Sequence, residues 1–164
     1  MFHVGHAKVL EQAKKLFKYT YLIVGVAGDK ETIEKKGAIV QNEKERSEIL
    51  LHCKWVDQVI VPCPWIITVD FMLQNGIHYV AHDDIPYTSG GQDDIYYEVK
   101  RLGMFRATQR TEGISTSDVI LRIIKDYDMY IERNLDRGYN RKELGVSASR
   151  IFKIKLNKQL NSMK

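Results

Sequence analysis

Two short segments more than a hundred residues apart carry residue types suited to holding phosphate: His3-Val4-Gly5-His6 and Arg110-Thr111-Glu112-Gly113-Ile114-Ser115-Thr116-Ser117. Paired histidines flanking a glycine at a helix start approach an anion closely. An arginine followed by hydroxyl residues at the opening of a second helix offers the same anion a guanidinium, backbone N–H groups and hydroxyls. Read together, the segments form a nucleoside-triphosphate site; either alone is weak. The competing readings are a metal site for the histidines and plain helix capping for the second segment. Zinc requires a third ligand, and His3 and His6 have no nearby cysteine or suitably spaced carboxylate to supply it. Ser115, Thr116 and Ser117, standing before Asp118, are N-cap candidates in any protein.

The elements that must position these residues follow from hydrophobic periodicity. Val9, Leu10, Ala13, Leu16 and Phe17 recur at helical spacing between Gly5 and Phe17, and Tyr21–Val26 follows as a continuous apolar strand. The alternation continues with a helix near Glu43–Cys53, a strand near Gln58–Val61 and a short helix after Thr68. A strand at Tyr79–Ala81, a helix from Asp93 to Leu102 and one long helix from about Ser117 to Arg133 complete it. Such alternation predicts an α/β fold, a parallel sheet covered on both faces. Ligands in open sheets of this kind lie beyond the carboxyl ends of the strands, and residues 3–6, 27–36, 82–87 and 109–117 all follow expected strands or open helices. Lys36 falls after Lys35 in a polar loop, where a lysine run is ordinarily a solvated surface. His82 gains weight from standing at a strand end before Asp83 and Asp84, whereas His52 and His78 lack such a context and read as structural.

At 164 residues and 44% hydrophobic, the chain suffices for one well-buried core. Its net charge of +4 is uneven: residues 149–164 hold five of the 25 basic residues and no acid, which leaves 20 basic residues against 21 acids before them. The basic excess belongs to a tail rather than to a surface of the body, which argues against nucleic acid as a partner. Phe152, Leu156, Leu160 and Met163 recur among the tail's lysines, a pattern expected of a basic amphipathic helix that packs on the body, on a second subunit, or on a membrane surface. Cys53 and Cys63 form no CxxC and point to a reducing cytosolic or nuclear setting. No apolar run reaches the ~20 residues needed to span a bilayer.

HxGH (His3 to His6), GVAGD closing the next strand (Gly25 to Asp29), Lys36-Gly37 and RTEGISTSD (Arg110 to Asp118) together resemble the cytidylyltransferases, over residues 3 to about 147. Pro64-Trp65, the stretch Ala81 to Tyr87, and Asp93-Asp94-Ile95-Tyr96 are most similar to the family's phosphocholine branch, as opposed to its ethanolamine or glycerol branches. The resemblance implies a Rossmann-like nucleotidyltransferase fold with a catalytic domain over 1–147, followed by a basic amphipathic helix or linker over 148–164. It further implies CTP and phosphocholine as substrates, Mg²⁺ carried with CTP, a homodimer, and peripheral membrane association through regions beyond this chain. By resemblance His3, His6, Lys36 and Arg110 are catalytic. CTP is contacted by Gly5, His6, Lys36, His82, Asp83 and Tyr87, and by Gln109, Arg110, Thr111, Ile114, Ser115 and Thr116. Phosphocholine is contacted by Lys36, Trp65, Tyr87 and Tyr96.

The residue types suit that chemistry. A phosphate oxygen attacking the α-phosphorus of CTP is already anionic, so no Ser, Cys or Asp nucleophile is required; what is required is positive charge and donors around the transferring group. His3, His6, the Lys36 ammonium and the Arg110 fork supply them, and Gly5 lets the backbone come close. A trimethylammonium group donates no hydrogen bonds and is held by aromatic faces and nearby carboxylates, the role open to Trp65, Tyr87 and Tyr96; Tyr96, on a helix, fits core and cage equally. Lys35 replaces Lys36 if the register slips. Two other readings stay open: a relative acting on phosphoethanolamine or glycerol 3-phosphate, and a non-catalytic CTP-binding relative.

One departure from the family's pattern stands out. There the HxGH motif follows a first strand lying mid-sheet, and this chain begins at about the last residue of that strand. Losing a central strand exposes two paired edges, which a domain stable by only ~5–15 kcal/mol does not readily absorb. The expectation is a natural chain extending upstream of Met1, the alternative being a truncated relative that cannot turn over.

Overall fold

Capping and short-range polar contacts set where the chain turns into its elements. The structure, a computed structural model, describes residues 1–86 and 94–162. These form two compact units, Met1–Thr116 and Ser117–Lys164. The first holds α1 (Val4–Lys14), β1 (Ile23–Ala27), α2 (Asp29–Lys36), α3 (Glu43–Leu51), β2 (Gln58–Cys63), α4 (Val69–Gln74), β3 (Val80–Asp83), α5 (Tyr97–Arg101) and β4 (Phe105–Thr108). Asn42 and Glu45 start α3 by exchanging side-chain-to-backbone bonds of 2.9 and 2.8 Å, a capping box, and the Thr68 hydroxyl accepts from Phe71 N–H at the start of α4. The apolar run from Tyr21 enters the sheet at Ile23, because Leu22 N–H is taken by the Asp57 carboxylate, which also pairs with Lys14.

The strands pair in parallel, as the alternation predicts. β1 lies on β2 with Val24 opposite Val59 and Ala27 opposite Cys63, the register shifting between Gly25 and Ala27. β3 lies on β4 with Val80 opposite Phe105 and Asp83 opposite Thr108. Among the described residues these are two separate two-stranded ladders rather than one continuous sheet, since no described strand bonds to the second edge of β1 or β3. Ala13, Val26, Leu50, Cys63, Met72, Ile95 and Val99 are buried in this unit, Met72 and Val99 almost completely.

The structure corrects three of the expected elements. Lys36 is not in a loop: it is the last residue of α2, which ends where Gly37 adopts φ 85°, a left-handed conformation that favours glycine. The helix expected from Asp93 is described only over Tyr97–Arg101, with Tyr96 at its N-cap. The long helix expected over Ser117–Arg133 is two, α6 (Thr116–Lys125) and α7 (Tyr127–Asp136), divided at Asp126, whose φ of −102° and ψ of 14° leave the helical region. Aspartate is a poor helix-interior residue because its side chain competes for nearby backbone groups.

In the second unit, α8 (Ala148–Ser162) is the expected tail helix, but its buried face differs from the stripe read in the sequence. Ile154 joins Ile131 and Val146 in a core cluster, with Leu135, Leu144 and Ile151 packed against it. Phe152, Leu156 and Leu160 are exposed at 71, 43 and 49%, and Met163 lies outside the described residues. At 3.6 residues per turn Phe152 projects roughly 100° away from Ile151, so the two apolar sets occupy different faces and only the Ile151–Ile154 face meets α7. Arg150 ties the helices from the side through bonds of 2.6 and 3.0 Å to Asp128.

Gly25 marks the tightest approach of the first ladder: a Cβ there would lie 2.4 Å from the buried Sγ of Cys63. Gly25→Ala is expected to lower the unfolding free energy by about 1–3 kcal/mol through overpacking, measured by denaturant or thermal unfolding. The same change in a Cys63→Ala background should cost distinctly less; equal costs in the two backgrounds would refute the contact as the cause.

Candidate functional site

The first turn of α1 is built by its own histidines. His3, with extended backbone at φ −149° and ψ 174°, is the N-cap. Its Nδ1 accepts the Gly5 N–H at 3.1 Å, and the His6 Nδ1 accepts the His3 N–H at 3.4 Å, the two rings lying 4.0 Å apart. With Nδ1 of each ring serving as acceptor, the neutral imidazoles carry their hydrogen on Nε2. This turn holds no acidic residue to offset the helix dipole. Gly5 is required by close approach: a Cβ there would lie 2.9 Å from His3 Cε1 and 3.4 Å from Ile114 Cγ2. Burial of the ring first, and then neighbouring positive charge that includes Lys36, push His6 from an ordinary 6.5 down to about 4, even though the residue as a whole is exposed.

The other candidate residues sit at the carboxyl ends of the strands. Beyond β1, α2 carries Lys36, whose Nζ lies over the Trp65 ring at 5.3 Å from its centroid, with Lys35 at 6.0 Å; Trp65 itself follows the end of β2. At the end of β3, Asp83 stands opposite Thr108, the last residue of β4, so Arg110 two residues on reaches Asp83 Oδ2 through Nε at 3.0 Å. That pair engages Nε, on the inner edge of the guanidinium, of a side chain that is 66% exposed. His82 turns Nδ1 towards the Asp83 carbonyl at 3.2 Å and packs its ring against Tyr96 at 4.8 Å, which in turn meets Phe105 at 5.6 Å. Lys100 bonds Asp94 and Asp84 at 2.8 and 2.9 Å, and these carboxylates, Asp94 foremost, raise its pKa.

The two segments singled out in the sequence come together. Ile114 Cγ2 would lie 3.4 Å from a Cβ at Gly5, and the Gln12 side chain on α1 bonds both backbone groups of Gln109. The start of the chain is tied to the segment after Lys36 by Phe2 N–H donating to Gln41 Oε1 at 3.0 Å, while the Phe2 ring stacks on His6. Gln109 and Thr111 flank Arg110, Gly113 turns the chain at φ 71°, and Ser115 directly precedes Thr116, the first residue of α6. Tyr87 lies outside the described residues. Gln12 and Gln41 were not anticipated, since a glutamine bonded to a distant backbone leaves no spacing pattern to find. Among the described residues no three His, Cys, Asp or Glu side chains are grouped to hold a metal ion. A cavity of about 460 Å³ opens at the start of α2, but Asp29, Glu31, Glu34 and Glu43 in its lining give it the wrong sign for a phosphate.

A family model described as Cytidylyltransferase-like matches residues 1–122. The chain is 57% identical to choline-phosphate cytidylyltransferase 2 of Arabidopsis thaliana over 149 residues, 90% of this chain and 49% of the relative. It is 52% identical to choline-phosphate cytidylyltransferase A of Homo sapiens over 164 residues, 100% of this chain and 45% of the relative. A probable ethanolamine-phosphate cytidylyltransferase of Encephalitozoon cuniculi is 35% identical over 165 residues, 96% of this chain and 50% of the relative. The chain thus spans about half the length of these curated relatives.

The cap geometry has a direct readout. In a histidine NMR titration His6 is expected to show a midpoint near 4 rather than 6.5, with its neutral-pH proton on Nε2. Because the unfolded chain takes up this proton first, the contribution of His6 to stability is full above 6.5 and is lost as pH falls towards 4. A midpoint near the ordinary value, or a proton on Nδ1 at neutral pH, would contradict the cap.

Proposed function

We propose that this chain, which belongs to the cytidylyltransferase-like family, transfers the cytidylyl group of CTP to phosphocholine, giving CDP-choline and pyrophosphate. The observation that carries the reading is the meeting of the histidine-capped helix with the Arg110 segment through the two Gln12–Gln109 bonds, at a place where Ile114 leaves little room beside Gly5. Identity points the same way: the two choline-phosphate relatives above stand at 57 and 52%, the ethanolamine-phosphate relative at 35%.

In this reaction a phosphate oxygen of phosphocholine attacks the α-phosphorus of CTP, the bond from that phosphorus to the bridging oxygen of the β-phosphate breaks, and pyrophosphate leaves. No proton need be removed from the nucleophile. Catalysis consists of holding two anions in line and stabilising the charge that spreads over the transferring and leaving groups. The Nε2–H groups of His3 and His6 suit this as neutral donors, which would not need to lose a proton in the step. Arg110, with its inner edge held by Asp83, offers the outer edge of its fork to phosphate, and Lys36 adds a mobile positive charge. Trp65 already holds lysine ammonium groups over its face, and a trimethylammonium is bound by the same attraction, worth roughly 0.5–2 kcal/mol. His82, Thr111, Ser115 and Thr116 complete the nucleotide contacts of this reading, Mg²⁺ enters as part of the nucleotide substrate, and Tyr96 lines the choline end. A homodimer, and a cytoplasmic or nuclear setting with peripheral membrane association, belong to the same reading. No described helix is long and apolar enough to cross a membrane.

The test incubates the chain with CTP, Mg²⁺ and phosphocholine, phosphoethanolamine or glycerol 3-phosphate, and follows pyrophosphate release. Release is expected with phosphocholine, falling about a hundredfold to a thousandfold in His6→Ala, the scale of losing one donor to a charged transition state. Preference for either other acceptor would move the protein to that branch. CTP binding without release from any acceptor would make it a binding relative.

A further inference from the structure

The histidine and arginine segments are joined most directly by a side chain that belongs to neither. Gln12 stands on α1, roughly two and a half turns beyond the His3 cap. Its Nε2 donates to the Gln109 carbonyl at 3.0 Å and its Oε1 accepts the Gln109 N–H at 2.8 Å. The side-chain amide thus engages both backbone groups of one residue, as a neighbouring strand would, one residue after β4 ends and one before Arg110. The two backbone partners fix which end of the amide is oxygen. A group matching this pattern needs one acceptor and one donor side by side, which a carboxamide has and an ionised carboxylate does not.

Arg110 depends on such a tie. Its side chain is 66% exposed, against 15% for its partner Asp83, and an ion pair screened by solvent on the arginine side does not by itself fix where the arginine stands. Where the guanidinium stands relative to His3 and His6 is therefore decided by where its backbone is pinned to α1. The two Gln12–Gln109 bonds do the pinning, directly before Arg110 in the sequence.

We infer that Gln12 is a positioning residue, its amide clasping the Gln109 backbone to the histidine-bearing helix and so setting the distance from Arg110 to the two imidazoles. Its consequence for turnover rests on the function proposed above; the clasp itself is a property of the chain without ligand.

The experiment uses Gln12→Glu and Gln12→Ala and reads two quantities. The first is exchange of the Gln109 amide hydrogen by NMR without ligand, which is expected to be slow in the wild type and at least about tenfold faster in Gln12→Ala, as a released hydrogen bond requires. The second is pyrophosphate release with CTP, Mg²⁺ and phosphocholine between pH 5 and 8, each variant compared with the wild type at the same pH so that other titrations cancel. In Gln12→Glu the ionised carboxylate places acceptors at both ends of the clasp, one of them against the Gln109 carbonyl, and should lower kcat about tenfold to a hundredfold at pH 8, the scale of a small misplacement. Protonating that carboxylate restores one donor and one acceptor, so the defect should shrink towards pH 5. Gln12→Ala should show no such recovery, and this difference separates positioning from a general loss of stability. Unchanged Gln109 exchange in Gln12→Ala, or a Gln12→Glu defect that is absent or independent of pH, overturns the inference. A wild type that releases no pyrophosphate refutes the proposed function instead, and the clasp is then decided by the exchange measurement alone.

Discussion

An α-helix leaves its first N–H groups without partners inside the helix, and in α1 the way this deficit is met governs the surrounding unit. Serine or aspartate is the usual cap. Aspartate here would put a negative charge at the helix start and repel an anion, and a small hydroxyl would leave no ring to extend the donor array. Two imidazoles cap the turn with their backbone-facing nitrogens as acceptors, a geometry that belongs to the neutral ring. The arrangement depends on Gly5, since the capping ring of His3 folds into the space a side chain would occupy. A side chain at the same point would also crowd Ile114, so the vacancy that permits the cap leaves room for the second segment.

Parallel pairing does the rest of the gathering. In each ladder the strands end at the same side, which is why Lys36 and Trp65 meet beyond β1 and β2, and Asp83 and Arg110 meet beyond β3 and β4. Neither meeting contributes much stability. An ion pair with one solvent-exposed partner is worth on the order of 1 kcal/mol, and a lysine over a half-buried ring is of similar size. Stability lies in the buried residues behind them, Met72 and Val99 above all, and the exposed pairs chiefly orient side chains.

The candidate residues were more legible in the sequence than the elements that support them. His3, Gly5, His6 and the Arg110 segment announce themselves by residue type and spacing, and the β1 run by its unbroken apolarity. Helix α2 was hidden because Ile33 is its one large apolar residue, so Lys36 had no periodicity to place it. Strand β4 was missed because four residues, one of them Arg106, give too short an alternation to recognise. The break at Asp126 was masked by apolar residues at helical spacing on both sides of it. In α8 two apolar stripes compete in one sequence, and only the positions of Ile131 and Val146 decide which is buried.

The two imidazoles of α1, with centroids 4.0 Å apart, have the proximity of a proton relay, yet the relay is cut. Passing a proton through an imidazole means accepting it on one nitrogen and surrendering another from the opposite side. In both rings the opposite nitrogen is already occupied by a backbone N–H, and a second proton there would have to break the helix cap first. The histidines are therefore insulated from acid–base traffic by the same bonds that start the helix, and charge changes at this surface register as fraying of α1 rather than as conduction through it.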